Sequence, residues 1–158
     1  MTSQRAPAIL VRRAAVGDMA TIVQFNAAMA LETEGKILDT ELLGAGVQAL
    51  LGDASRGFYL VAESGGRVAG QLMITTEWSD WRNAYFWWIQ SVYVAEDFRR
   101  MGVYRALNDH VRAQALSQGD VCGIRLYVDR DNRVARQVYH GLDMVQARYD
   151  LFELEFDP

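Results

Sequence analysis

Apolar residues recur along this chain with two periods, and each change of period predicts a new element. Spacing of three and four residues predicts helices from Met19 to Met29, from Leu42 to Leu51, from Val103 to Val111 and from Val134 to Leu142. Alternating or continuous apolar runs predict strands at residues 8–13, 57–63, 67–75, 84–94, 122–128 and 146–156. Strands and helices interleaved in this order predict one α/β domain over residues 1–158, built on a mixed sheet.

Local residues indicate where several of these elements begin and end. Asp18 is placed to cap the first helix, and Asp39 or Thr40 to cap the second. Glycines at 65 and 66 predict a tight hairpin, because glycine accepts positive φ. The polar stretch at residues 77–83 predicts a turn before the long central strand.

Composition narrows the class of protein. The chain has 158 residues, 51% of them hydrophobic and 23% charged, as in an ordinary globular domain. A net charge of -4 argues against a nucleic-acid-binding surface. The single cysteine, Cys122, forms no internal disulfide and suits a reducing cytoplasm, and no apolar run predicts a membrane segment. His110 and His140 lack the spacing of metal ligands, so no metal site is expected.

The most informative stretch is residues 90–107, where the central strand runs through a basic turn into a helix. Arg99 and Arg100 open this turn, and Gly102 closes it. The first N–H groups of a helix have no internal acceptor and carry partial positive charge. A strand that ends in such a turn therefore predicts an anion site.

A second pattern follows the strand at residues 122–128. Asn132, Ala135 and Tyr139 stand at helical spacing, and Leu142 and Met144 follow the helix.

Together the two stretches resemble motifs A and B of the GNAT superfamily of N-acetyltransferases. Arg99 and Gly102 fall on marked positions of motif A, whereas Tyr104 replaces its last small residue. Asp143 stands in motif B where glycine is usual. Asp tolerates a left-handed backbone better than most residues, so we expect a positive φ at that position.

The resemblance implies a sheet of about six to seven strands with about four helices, and acetyl-CoA held where the fourth and fifth strands splay apart. It implies that backbone groups of Val92, Tyr93 and Val94 pair with the pantetheine arm, and that backbone N–H groups of residues 100–104 bind the pyrophosphate. The cofactor-binding residues expected in addition to the strand are Arg99, Arg100, Met101, Gly102, Val103, Tyr104, Arg105, Asn132 and Tyr139.

For catalysis, the resemblance implies that Tyr139 protonates the departing thiolate. A neutral phenol, with a reference pKa near ~10, can donate that proton. The central strand carries no carboxylate around Gln90, although family members often have a glutamate there. The general base is therefore expected in the flanking loops, with Glu32 and Glu77 as first candidates and Glu34 and Asp80 as others.

Several alternatives stay open. The same features fit a non-catalytic acyl-CoA-binding sensor, or, less well, a nucleotide-binding domain, for which the G-x-G-x-x-G spacing is missing. The tryptophans at 78, 81, 87 and 88 could form a pocket for a cation, fill the inner face of the hairpin, or contact a second copy in a homodimer. The acceptor amine is not readable from the sequence.

Overall fold

The computed structural model describes residues 7–156. Its strands are β1 (Ile9–Arg13), β2 (Phe58–Ser64), β3 (Arg67–Ser79), β4 (Ala84–Val94) and β5 (Val121–Leu126). Its helices are α1 (Met19–Glu34), α2 (Thr40–Gly52), α3 (Val103–Gln118) and α4 (Arg133–His140). The chain divides into two compact units, Met1–Leu126 and Tyr127–Pro158.

The first unit contains the sheet, with strand order β1-β2-β3-β4-β5. The first three pairings are antiparallel, and β4 pairs β5 in parallel. The parallel pair requires a crossover, which α3 supplies between the two strands. The predicted mixed sheet and four helices are confirmed, with five strands in the described residues rather than six or seven.

Helices cover both faces of this sheet. Leu72 and Ile74 of β3 pack in a cluster with Leu107 and Val111 of α3, and all four are fully buried. Met73 instead packs in a second cluster with residues of α1 and α2. Because neighbouring residues of a strand point to opposite faces, the two clusters lie on opposite sides of the sheet.

Two acidic residues begin the helices of the second cluster. The Oδ1 of Asp39 accepts hydrogen bonds from the N–H groups of Glu41 and Leu42, at 2.9 and 3.1 Å, so Asp39 is the cap of α2. Asp18 precedes α1 but does not cap it with its side chain. Its carboxylate instead accepts two bonds from Arg12, at 2.8 and 2.9 Å, which fasten β1 to the start of α1.

The prediction of a turn over residues 77–83 is partly wrong, because β3 continues to Ser79 and only residues 80–83 turn. Glu77 and Trp78 pair with Phe86 and Tyr85 of β4, which satisfies their backbone groups. The rings of Trp78 and Tyr85 also meet edge to face, 4.9 Å apart. Cross-strand pairing of this kind outweighs the polar composition.

In the second unit, Asn132 caps α4 by accepting a bond from the N–H of Ala135 at 3.0 Å. The turn after this helix has φ of 61° at Asp143, which confirms the left-handed position predicted there.

The strand predicted over residues 146–156 is wrong, since these residues form no regular secondary structure. Alternation selects residues that suit a pleated surface, but a strand also needs a partner backbone, and the described residues of this unit contain no other strand. Arg130 and Arg136 hydrogen-bond to Asp150 and Gln146 of this segment, at 2.8 and 2.9 Å.

Within residues 7–156, every helix is too short or too polar to span a bilayer.

The pairing of β3 with β4 contains a β-bulge. Gln71 pairs with Tyr93 and Met73 with Gln90, so Ser91 and Val92 together lie opposite the single residue Leu72. Ser91 has φ of 51°, a left-handed conformation that costs a non-glycine residue about 1–2 kcal/mol.

Gln71 holds this bulge in place. Its side chain is fully buried, and its Nε2 donates to the carbonyl oxygen of Ser91 and to Oδ1 of Asn26, each at 3.2 Å. Asn26 is itself buried on α1. One amide group therefore connects α1, β3 and the irregular backbone of β4.

We expect Gln71→Met to lower the free energy of unfolding by about 1 kcal/mol, because two acceptors lose their donor while the side-chain volume is nearly kept. Loss of the buried Gln71 Oε1, which has no partner among the described residues, offsets part of the cost. Urea denaturation measures this change. The matched control, Gln48→Met, replaces an exposed glutamine of α2 and should change stability by less than about 0.5 kcal/mol. Equal stabilities of the two variants would show that Gln71 does not support the bulge.

Candidate functional site

The turn at residues 99–102 carries two left-handed residues before α3. Arg100 has φ of 64° and Gly102 has φ of 83°. The first α-helical bond of α3 runs from the N–H of Ala106 to the oxygen of Gly102, at 3.0 Å, so the N–H groups before Ala106 have no acceptor within the helix. A left-handed turn at the positive end of a helix forms a concave site for an anion.

The side chain of Arg99 folds back from this turn onto neighbouring elements. Its Nε donates to the carbonyl oxygen of Val94 at 3.0 Å, and its Nη2 to Oε2 of Glu32 at 2.7 Å. The hydroxyl of Tyr93 donates to the other oxygen of Glu32, at 3.0 Å. The structure thus brings together one predicted base, Glu32, and two predicted cofactor residues, Tyr93 and Arg99.

This cluster favours a protonated phenol. Burial raises the pKa of Tyr93 above its usual value, and the hydrogen bond to the Glu32 carboxylate raises that pKa further. The same carboxylate raises the pKa of Arg99. The Glu32 carboxylate is consequently held between a neutral hydroxyl and a guanidinium.

The strand that leads into the turn has one open edge within the first unit. The ladder between β4 and β5 ends with the pair Ile89 and Leu126, while β4 continues to Val94. The predicted residues Val92, Tyr93 and Val94 all lie in this continuation. Their backbone groups on that side have no partner from β5, so the edge can pair with an extended ligand.

Glu77, the second predicted base, lies elsewhere on the sheet. Its Oε1 accepts a bond from Nη1 of Arg125 on β5, at 2.6 Å, and the Arg125 guanidinium lies 3.5 Å from the centre of the Phe86 ring. Glu77 pairs with Phe86, which lies five positions before Ser91 on β4. At about 3.3 Å per residue, that is roughly 16 Å along the strand from the bulge.

The remaining predicted residues fall into two groups. Arg100, Met101 and Arg105 are exposed around the turn, whereas Val103 is buried and Tyr104 half-buried at the start of α3. Asn132 and Tyr139 belong to the second unit, Asn132 as the cap of α4 and Tyr139 near its end.

The four tryptophans do not share a pocket. Trp87 is buried in the α3 cluster and meets Phe58 edge to face, while Trp81 is 89% exposed at the tip of the hairpin.

A cavity of about 340 Å³ lies beside the bulge. Its walls come from α1, α2, β2 and β3, and Ser91 of β4 forms part of its lining. Asn26 also lines it, and the Asn26 side chain hydrogen-bonds the hydroxyl of Tyr59 as well as Gln71.

Sequence reasoning missed Asn26, Gln71 and Ser91. Two of these residues could have been found from the sequence. Asn26 stands between the core positions Ile22 and Ala30 at spacing of four, and Gln71 interrupts an apolar strand. A polar residue at a core position requires a buried partner. Ser91 carried no such signal.

Known proteins resemble this arrangement. The model of the acetyltransferase (GNAT) family matches residues 26–144. The chain belongs to this family. A crystal structure of a possible acetyltransferase from Clostridium difficile 630 is 41% identical, with a TM-score of 0.89, over 95% of this chain and 99% of that chain.

Two more distant structures share the GNAT fold alone. A predicted acetyltransferase with acetyl-CoA from Clostridium acetobutylicum is 16% identical, with a TM-score of 0.75, over 94% of this chain and 96% of that chain. A ribosomal-protein-alanine N-acetyltransferase from Brucella melitensis biovar Abortus 2308 is 17% identical, with a TM-score of 0.77, over 95% of this chain and 100% of that chain. No curated protein matches the sequence significantly.

Proposed function

We propose that this GNAT acetyltransferase transfers the acetyl group of acetyl-CoA to a primary amine by direct attack in a ternary complex. The observation that carries this proposal is the left-handed turn at residues 99–102, which joins the open edge of β4 to the N-terminus of α3. An anion site that continues into a strand edge without a partner from β5 fits a ligand with a phosphate end and an extended, amide-containing arm.

The phosphate end of acetyl-CoA binds the N–H groups of residues 100–104. Charge-assisted hydrogen bonds contribute about 1.5–3 kcal/mol each, and a micromolar affinity requires about 8 kcal/mol in total. Several such bonds therefore suffice. Arg100 and Arg105 are exposed nearby and add weak electrostatic attraction, while Arg99 acts through its bonds to Val94 and Glu32.

The pantetheine arm pairs with the backbone of Val92, Tyr93 and Val94, and N–H groups near Val92 polarise the thioester carbonyl. The amine nitrogen bonds to the carbonyl carbon, the carbon–sulfur bond breaks, and the thiolate receives a proton from Tyr139. The amine in turn loses a proton to Glu32, with Glu77 as the alternative base. Asn132 supports the cofactor from the cap of α4.

The proposal also includes the domain organisation, location and oligomeric state of the protein. We propose that residues 1–158 form one catalytic domain, that the protein acts in the cytoplasm, and that it forms a homodimer. Exposed aromatic residues at the β3–β4 hairpin, Trp78 and Trp81, support the last of these.

The cofactor is tested by calorimetric titration with acetyl-CoA, CoA and NAD, followed by CoA release on a panel of amines. We expect micromolar binding of acetyl-CoA and CoA, no binding of NAD, and transfer to at least one amine. Binding without transfer to any amine would favour the acyl-CoA sensor, which the lack of a carboxylate in the middle of β4 already supports. Failure of both CoA species to bind would reject the proposal.

The anion turn is tested by Gly102→Ala, which should weaken acetyl-CoA binding at least about tenfold, since a left-handed alanine is strained and the turn relaxes. Gly119→Ala is a matched control, because Gly119 ends the same helix with φ of 79°, close to the 83° of Gly102, and both positions have open space for a Cβ. Both variants should lose similar stability. Equal loss of cofactor affinity in the two would contradict the role of the turn.

Tyr139→Phe should lower kcat at least about tenfold and leave acetyl-CoA affinity within about twofold, because the variant removes only the proton donor. Tyr149→Phe, which alters an exposed tyrosine of the same unit, is the control and should keep full activity. An unchanged kcat in Tyr139→Phe would remove Tyr139 from the mechanism.

A further inference from the structure

The cavity beside the β4 bulge has a lining without charge. Among the described residues, ten line it, and none is acidic or basic. Most of the surface is aliphatic or thioether, and the polar side chains are those of Asn26, Tyr59 and Ser91. The Asn26 and Tyr59 side chains hydrogen-bond to each other, and the Asn26 Oδ1 also accepts a hydrogen bond from Gln71. These polar groups therefore have partners within the protein.

The helix α2 presents one stripe to this cavity. Leu43, Gly46, Val47 and Leu50 line it at spacing of three and four. Val47 and Leu50 are buried, whereas Gly46 is exposed and contributes no side chain. A Cβ at Gly46 would meet no atom within 4 Å, so the glycine leaves open space in the wall.

The cavity has a volume of about 340 Å³ and is partly open to solvent, so only part of an occupant leaves water there. That volume lies at the lower end of ligand pockets in general. It accommodates one ring or one short alkyl chain, and it ends at Ser91, where the proposed thioester carbonyl would lie.

From these observations we infer that the acceptor is a primary amine with an uncharged, apolar body, which fills this cavity and directs its amino group to the β4 bulge. This inference rests on the proposed acetyl transfer and specifies its substrate class. A polycationic acceptor would place a second ammonium against apolar walls without a carboxylate, which costs the full desolvation of that charge. An apolar body instead gains from leaving water.

The same walls assist the chemistry. Desolvation lowers the pKa of an amine, because it disfavours the charged form. Apolar walls that carry the amino group partly out of water would therefore favour the neutral state that attack requires. Such an effect would lessen the need for a carboxylate on β4 beside the bulge.

The test uses two probes with the same six-carbon chain, hexylamine and 1,6-diaminohexane, of which the second adds an ammonium group at the far end. Their binding is measured first, by saturation-transfer NMR and calorimetry on the whole protein without cofactor. We expect hexylamine to bind at least about tenfold more tightly than the diamine. Equal affinities, or tighter binding of the diamine, would overturn the inference.

The location is tested by Gly46→Leu, which fills the wall of the cavity and favours the helix, because glycine is a weak helix former. We expect at least a tenfold loss of hexylamine affinity with acetyl-CoA affinity unchanged. Ala45→Leu adds the same side chain to an exposed position of the same helix and should leave both affinities unchanged. Unchanged hexylamine binding in Gly46→Leu would overturn the assignment to this cavity.

Transfer rates separate the inference from the proposed function. Hexylamine binding that depends on Gly46, without acetylation of either probe, would support the cavity and count against the acetyl transfer. Acetylation with a kcat/KM for the diamine equal to or above that of hexylamine would support the transfer and overturn the substrate class.

Discussion

The hydrogen bonds of one buried amide constrain the centre of this structure. The Nε2 of Gln71 donates to Oδ1 of Asn26 and to the carbonyl of Ser91, both at 3.2 Å. These bonds tie the left-handed backbone of Ser91, which is strained for a residue with a Cβ, to β3 and α1. The bulge that follows shifts the register of β4 and redirects its last residues. The open strand edge, the turn and the cavity wall all depend on where that bulge lies.

In the proposed anion site, the backbone and the side chains have different roles. The backbone of the turn presents donors, and the Arg99 side chain, expected to meet phosphates, instead bonds Val94 and Glu32. Those bonds cross from the turn to β4 and α1, so they fix the direction in which the turn leaves the strand. The Arg99–Glu32 ion pair is half-exposed and contributes little to stability by itself. The bonds of Arg99 instead orient the turn. Backbone donors that already have the right direction need no reorganisation when the ligand binds.

Several local features that depend on a few neighbouring residues were readable from the sequence, although Asp18 does not cap α1 with its side chain and β3 continues to Ser79. The cap at Asp39 and the left-handed position of Asp143 follow from what those side chains tolerate, and the turn before α3 follows from its glycine. Features that depend on distant partners were not readable. Ser91, which has positive φ, bonds through its carbonyl to Gln71, twenty positions earlier, and residues 146–156 lack a strand because alternation does not supply a partner backbone. The family resemblance predicted the fold, which the structure confirms, but not the lining of the cavity.

Acetyl transfer to an amine requires the removal of a proton from an ammonium. Both the uncharged cavity and the position of the carboxylates bear on this problem. A carboxylate next to the reacting nitrogen solves it by accepting the proton, whereas an apolar cavity solves it by making the charged form costly. In this chain Glu32 is shared between Tyr93 and Arg99, and Glu77 is paired with Arg125 far along β4 from the bulge. Both carboxylates are therefore already engaged in ion pairs, and in the inferred complex the apolar walls would assist proton transfer to Glu32. The inferred site would thus select its acceptor by the same apolar character that favours the neutral amine.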